Sequence, residues 1–322
     1  MNQLLLSWVI NMLASRIADE LGYELLGEDF EIEGVAWCNS ASANEIAVIR
    51  DKRELQNTKA KVVLTKPIIT QTDKSLLITY ENIECSLVKV CNILINNGIW
   101  ADYSTPTKYK VTDRGFYVGE HCKISENAVI QPGAKIGDYV TICSECIIEP
   151  DVFVGSGTII EKGVHIGSGS KVGISSFYHY YDDGQIRQFD GCGIVRIGKG
   201  TVVGCNTTIQ RGTLADTILG ANNMIGNCID IGHDVIIGDN CKIVSQTGIA
   251  SDVTIMNNVT IFGQAGVSNG VVIGNNVIIK GKSIVTKSVP DDAVIYGPFG
   301  RTYSEEMKLV AKVRKFFDRK DE

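Results

Sequence analysis

Stepping by six residues from Val118 lands on Ile124, Ile130, Ile136, Ile142, Ile148, Val154, Ile160, Ile166 and Val172, an unbroken run of β-branched apolar side chains. The step is lost between about 173 and 196, returns at Ile197, Val203 and Ile209, and slips through the segment RGTLAD. It then runs from Leu219 through Ile225, Ile231, Ile237, Ile243, Ile249, Ile255, Ile261, Val267, Ile273 and Ile279 to Val285. Four positions after the large residue comes a small or β-branched one, as at Cys122, Ala128, Ala134, Val140, Cys146, Val152, Thr158, Val164 and Ser170. Neither the 3.6-residue period of an α-helix nor the alternation of an ordinary strand has this spacing, whereas a β-helix of hexapeptide repeats does. Glycine often follows the large residue directly, at Gly137, Gly155, Gly167, Gly198, Gly220, Gly238 and Gly274, which suits a tight corner needing unusual backbone angles. Three hexapeptides close one triangular coil, so the pattern predicts roughly eight stacked coils, each burying its Ile and Val against its neighbours.

The period divides the chain. Residues 1–105 lack it and read as a small α/β unit, with a helix through LASRIADELG, strands near EIEGVAW, KVVLT and SLLITY, and a helix through CSLVKVCNILINNG. ADYSTPTKYK is the expected linker. Residues 106–290 form the repeat region, and 291–322 leave the coil through SVPDDAVIYGPFGRTY for a helix that Ser304 caps and Glu305 and Glu306 begin. That helix is basic towards its end, with Lys308, Lys312, Arg314, Lys315, Arg319 and Lys320, and is either a solvated face or a docking surface for an acidic partner.

Composition narrows the function. A net charge of −6 and a pI near 5.4 argue against a general nucleic-acid binder, which needs clustered cations to neutralise phosphates. The apolar start, MNQLLLSWVINML, has no basic residue before it and is soon interrupted, so it fits neither a signal peptide nor a membrane span, and a cytoplasmic location is expected. Ten scattered cysteines without a secretory signal favour reduced thiols, and the lone CxxC, Cys143 to Cys146, lies inside a repeat with no second pair, so no metal site is expected. Cys122, Cys146 and Cys241 take the small inward position, where a thiol serves as a small hydrophobe. Of the four histidines, His121 and His165 occupy exposed repeat positions and read as solvated, while His179 lies in SSFYHYYDDGQIRQFDG, the interruption in the repeats. His233 follows buried Ile231 by two residues in NCIDIGHDVIIGDN, at a corner facing outwards.

With its segments in this order, the chain resembles the UDP-3-O-acylglucosamine N-acyltransferases of lipid A synthesis. The resemblance is carried by NTTIQRGTLADTILG (206–220), IGNCIDIGHDVIIGDN (225–240) and, more weakly, GQAGVSNGVVIG (263–274). It implies a mainly β protein: a left-handed parallel β-helix with an N-terminal uridine-binding α/β domain and a C-terminal helix, working as a cytoplasmic homotrimer. It also implies transfer of a 3-hydroxyacyl group from the phosphopantetheine thioester of acyl carrier protein to a sugar amine, with His233 as general base. No cofactor would be permanently bound.

Histidine titrates in the range such a base needs. Around it, Asn227, Asp230 and Asp234 have no evident scaffold role, and either aspartate is placed to orient the ring. Backbone N–H groups of Gly248 and Gly266, one and two coils on, are candidate oxyanion donors. Tyr178, His179, Tyr180, Gln210 and Arg211 are candidate substrate contacts; Phe177, Tyr178, Tyr180 and Tyr181 either stack on a substrate or pack the interruption against the coil. Lys312, Arg314 and Lys315 are candidate carrier-protein contacts. The chain departs from the family where two aromatic residues sandwich the uracil, positions matched here by Val48 and Glu54, and where a second histidine is matched by Gly270. Gln210 stands in place of an aspartate, and the family's FGF loop is YHY around His179. These departures leave open a relative that uses acyl-CoA and another UDP- or dTDP-amino sugar, and beyond enzymes a non-catalytic binding β-helix.

Overall fold

The computed structural model describes residues 11–69, 72–103, 105–297 and 303–318. The repeat region is a left-handed parallel β-helix whose strands, most of them two residues long, stack into three sheets of eight, nine and ten strands. Ile124 to Ile273 line the first sheet, Ile130 to Ile295 the second and Val118 to Val285 the third. The six-step residues point inwards and form one continuous core, with the small residues between them equally buried. Burying each such side chain contributes about 1.5–3 kcal/mol, and the coil repeats the gain at every side. Polar fillers satisfy themselves locally: Thr158 Oγ1 donates to Gly155 O at 2.6 Å, and the thiols of Cys146 and Cys241 point to Glu161 O and Met256 O at 3.0 and 3.1 Å.

Glycine serves the corners for a different reason from the one expected. None of the seven glycines that follow a large residue has a positive φ. The left-handed position lies two residues later and is filled mostly by other residues, such as Tyr139, Asn222, Asp234, Asn240 and Asn258, with φ of 52–64° across most of the series. What the corner glycines permit is close approach. A Cβ on Gly155 would lie 1.9 Å from Gly173 O, and one on Gly137 would lie 2.6 Å from Ser156 N. The next residue often carries Asp or Asn, whose side chain accepts the N–H one coil earlier: Asp239 from Ala221, Asn257 from Asp239 and Asn275 from Asn257, at 2.7–3.1 Å.

Three irregularities interrupt the stack. An antiparallel hairpin, Tyr178–Asp182 with Gln185–Phe189, projects between coils. RGTLAD lengthens the following coil, so that Cys205 N finds its acceptor Asn227 twenty-two residues on instead of the usual eighteen. The last coil is shortened, with Asn275 N reaching Asp291 sixteen residues on. This shortening hides the end of the helix from a six-residue count: the coil continues past residue 290 through Val294–Ile295, which pairs with Ile278–Ile279.

Before the coil, α1 (Ala14–Leu21) and α2 (Ile83–Asn96) lie against a five-stranded sheet. Its order is Glu24–Leu26, Ser75–Ile78, Val62–Thr65, Glu45–Val48 and Gly34–Trp37, the first pair antiparallel and the rest parallel. Glu24–Leu26 and Glu45–Val48 were absent from the sequence expectation. Asn82 caps α2 by accepting from Glu84 N at 2.8 Å. Phe189 and Leu214, from the hairpin and the RGTLAD segment, belong to the same apolar cluster as α1, α2 and one face of this sheet. The C-terminal helix, α3, spans Tyr303–Asp318 and so begins one residue before the expected cap at Ser304. Arg319, Lys320 and the apolar residues 1–10 lie outside the described residues. Among the described residues no helix is long and apolar enough to cross a membrane.

Gly155→Ala should destabilise the protein by about 3 kcal/mol or more, because its new methyl meets backbone that cannot retreat. Gly248→Ala, with nothing within 4 Å of the added atom, should change stability by less than about 0.5 kcal/mol. Urea midpoints of the two variants test the contrast; equal shifts would contradict it.

Candidate active site

His233 sits at the corner after the strand Asp230–Ile231 and is only 6% exposed, so it is covered where the sequence placed it facing outwards. The cover comes from the two irregularities that precede it. Thr213, in the lengthened coil, places its Oγ1 3.0 Å from His233 Nδ1, and the Tyr178 ring of the hairpin lies edge-to-face with the imidazole at 6.1 Å. Of the two candidate aspartates, Asp234 reaches the ring, with Oδ2 2.8 Å from Nδ1. Asp230 stands on the strand between Thr208 and Gly248 and makes no hydrogen bond with the ring; loss of solvent around it raises its carboxyl above the ordinary range.

Asp234 joins the insertion to the histidine. Its Oδ1 accepts the N–H groups of Thr213 and Ala215 at 3.0 and 3.1 Å, while its own N–H donates to Thr217 Oγ1 at 3.0 Å. The four additional residues therefore wrap around one carboxylate oxygen and leave the other for the imidazole. A carboxylate has only acceptors, so Nδ1 must carry the proton and donate it. In the neutral ring Nε2 is then the nitrogen with its lone pair available, the tautomer a general base requires.

Several expected contacts have other positions. Asn227 has a scaffold role after all, its Oδ1 accepting Cys205 N at 2.8 Å at the corner after Ile225. Arg211 is 4% exposed and turned inwards: Nη2 donates to Ser156 O and Gly173 O at 3.1 and 3.3 Å, and the guanidinium lies 5.4 Å over the ring of Tyr103. It cannot meet a substrate there. Gly248 and Gly266 lie on the open face of the third sheet, but their N–H groups donate to Ala265 O and Ser283 O within the ladder and are not free for an oxyanion. The Ser251 N–H, one coil beyond His233 at the same corner, donates to nothing among the described residues. Gly232 leaves room beside it, since a Cβ there would come within 2.8 Å. Gln210 Oε1 accepts Phe177 N at 2.9 Å and anchors the hairpin. Tyr180 packs against the α/β unit and Tyr178 lies between that unit and His233, whereas His179 is exposed on the other side beside Phe177. His165 is partly exposed, as expected, and also paired: its Nε2 lies 2.7 Å from Glu149 Oε1, and Ser168 first and then this histidine hold the Glu149 carboxyl below its usual range.

In the α/β unit, Val48 is 3% exposed and part of the core, and Glu54 Oε2 accepts Arg50 N at 2.8 Å, so neither offers a face to a base. The aromatic side chain beside Val48 is Trp37 on the neighbouring strand, and Arg50 stacks over it at 5.1 Å. Trp37, Arg50, Thr213 and Thr217 were not singled out in the sequence. The slip through RGTLAD was the one signal available for the two threonines, since an insertion one coil before a histidine has to fold over it. Among the described residues no group of three or more His, Cys, Asp or Glu is placed to hold a metal ion.

No protein-family model matches the chain. It is 30% identical over 263 residues to UDP-3-O-acylglucosamine N-acyltransferase 1 of Francisella tularensis, covering 68% of this chain and 70% of that one. It is 28% identical over 236 residues to the Coxiella burnetii enzyme UDP-3-O-acylglucosamine N-acyltransferase, covering 69% of each. Among solved structures, a Francisella novicida UDP-N-acetylglucosamine acyltransferase superimposes with a TM-score of 0.52 at 27% identity, over 64% of this chain and 79% of that one. A Moraxella catarrhalis UDP-N-acetylglucosamine O-acyltransferase, 20% identical with a TM-score of 0.50 over 60% and 76% of the two chains, shares the fold. The repeat architecture and these relatives define an acyltransferase built on a hexapeptide β-helix. Within that class, the chain belongs to the UDP-3-O-acylglucosamine N-acyltransferase family.

Asp252, one coil beyond Asp234 at the same corner, provides a pH test. Desolvation by the surrounding coil, then the Asp234 charge, raise its carboxyl above the ordinary range, with His233 and Arg50 opposing. An acid whose folded pKa is raised binds its proton more tightly when folded, so its contribution is favourable at low pH and is lost as pH rises through that folded value. Asp252→Asn, which also suits the left-handed φ of 59°, should therefore raise the urea midpoint at neutral pH. The gain should vanish by about pH 3, where both folded and unfolded carboxyls are protonated; a gain independent of pH would contradict the assignment.

Proposed function

We propose that the protein transfers an acyl group, a 3-hydroxyacyl chain by its family, from a thioester to the amine of a nucleotide-linked amino sugar in lipid A synthesis. The observation that carries the reading is the His233–Asp234 pair, with Nδ1 held as donor and Nε2 left as acceptor. As the amine attacks the thioester carbonyl, Nε2 takes its proton; the carbonyl π electrons move to oxygen, and the Ser251 N–H, which has no acceptor among the described residues, is the candidate donor to that charge. Collapse restores the carbonyl, breaks the C–S bond and leaves an amide, while the imidazolium returns its proton to the departing thiolate. Asp234 stabilises the imidazolium between these steps.

The family relationship and the geometry of the chain both support a homotrimer in the cytoplasm. Val129 and Ile147 are exposed neighbours on the second sheet, and Met224 is exposed three strands beyond Ile147, past His165 and Val202; a neighbouring helix would cover these apolar side chains. All ten cysteines are free, as in a reducing compartment. For the donor we favour acyl carrier protein over coenzyme A, because α3 presents Lys312, Arg314 and Lys315 exposed in one short segment. Uracil is the base implied by the family, held in another way than between side chains at 48 and 54.

His233→Ala and Asp234→Asn should each lower kcat by about 10²–10⁴-fold while the protein keeps its fold. The assay is amide formation from 3-hydroxyacyl carrier protein and a UDP-linked amino sugar, and unchanged turnover in His233→Ala would remove the mechanism. Reversing Lys312, Arg314 and Lys315 to Glu should raise the KM for acyl carrier protein by about tenfold or more at low salt, with the difference shrinking as salt rises. No effect would remove α3 as the docking surface and favour coenzyme A as donor.

A further inference from the structure

Tyr178 connects two parts of the chain that the fold builds separately. On one side its ring meets the imidazole of His233 at 6.1 Å and an interplanar angle of 77°. On the other it tilts against Trp37, at 6.1 Å and 46°, and its hydroxyl accepts from Arg50 Nη2 at 3.5 Å. Arg50 is itself fixed: it stacks over Trp37 and its Nε donates to Glu84 Oε1 at 3.1 Å, in the first turn of α2. A chain of contacts thus runs from α2 through the carboxyl end of the parallel sheet to the catalytic corner. The base of the hairpin is equally constrained, by Gln210 on Phe177 N and by Ser176 Oγ donating to Phe189 O at 2.8 Å.

We propose that Tyr178 is a positioning residue for His233, and that Arg50 of the α/β unit holds it in place. The inference rests on the reading of His233 as the base. Asp234 and Thr213 both act at Nδ1, so they fix that end of the imidazole and leave the direction of Nε2 to whatever touches the rest of the ring. Tyr178 is the aromatic side chain that does so. Ring contacts of this kind contribute only about 0.5–1.5 kcal/mol, too little to orient the imidazole if the hairpin were free to swing. The tether to Arg50 supplies the missing constraint, and phenylalanine could not accept it. Burial pushes the Tyr178 phenol up to about 12, so the ring meets the imidazole uncharged. The α/β unit therefore takes part in the geometry of catalysis.

The test is steady-state amide formation from 3-hydroxyacyl carrier protein and a UDP-linked amino sugar, with thermal unfolding of each variant as a fold control. Tyr178→Ala should lower kcat about tenfold with KM for both substrates nearly unchanged. Tyr178→Phe and Arg50→Ala should each lower kcat about threefold, the double variant no further, and Arg50→Lys should recover part of the loss. On a His233→Ala background, Tyr178→Ala should have no additional effect. A loss carried by KM, additive effects of the Phe and Ala changes, or a further loss on that background would each overturn the positioning role. Full activity in Tyr178→Ala with an inactive His233→Ala would overturn the positioning alone; full activity in His233→Ala would overturn the base and this inference with it.

Discussion

The structure depends on how closely one coil approaches the next at its corners. At the glycine corners backbone meets backbone at distances that exclude even a Cβ, as between Gly155 and Gly173. Once the corners are that tight, each side of the triangle has room for one large inward residue and one small one, and the order of residues follows. The Asp and Asn side chains that accept the N–H of the coil before them keep neighbouring corners in step. Substrate chemistry is then built from departures from this order, because a regular corner has no spare groups to offer.

The scaffold was readable in the sequence because its constraint is local and repeats. A step of six, with β-branched residues inside, has few structural explanations, and Ile231, Ile237 and Cys241 lie where the step puts them. The corner glycines show the limit of such reading: their presence was evident but their reason was not, since left-handed φ and crowding both favour glycine and only coordinates separate them. The end of the coil was hidden for a similar reason, because removing two residues from the last turn breaks the count while Val294–Ile295 still pairs.

At the site, His233 could be singled out because nothing in the repeat needs it, and the family motif surrounds it. Its partners were less visible. Asp230 and Asp234 look alike in sequence, and only the left-handed corner at Asp234 brings a carboxylate back to the ring. Arg211 lies within the motif yet faces inwards, holding the carbonyls of Ser156 and of Gly173, the second just ahead of the hairpin. Trp37, Arg50 and Glu84 are distant in sequence and have no period in common, so their meeting with Tyr178 is a product of tertiary packing alone. The α/β unit and the insertions share one apolar cluster, and that cluster fixes their relative orientation.

For the acyl transfer proposed above, the cover over His233 also bears on which reaction would be avoided. An activated thioester beside a histidine base is as open to hydrolysis as to aminolysis, and water is present in far greater concentration than any sugar amine. Thr213 and Tyr178 close two approaches to the imidazole before any substrate arrives. An amine delivered on a large nucleotide sugar can be guided along the approach that remains, whereas a water molecule bound there has no such guidance and is displaced by the substrate itself. The same two insertions that interrupt the repeat thus favour transfer over waste of the acyl donor.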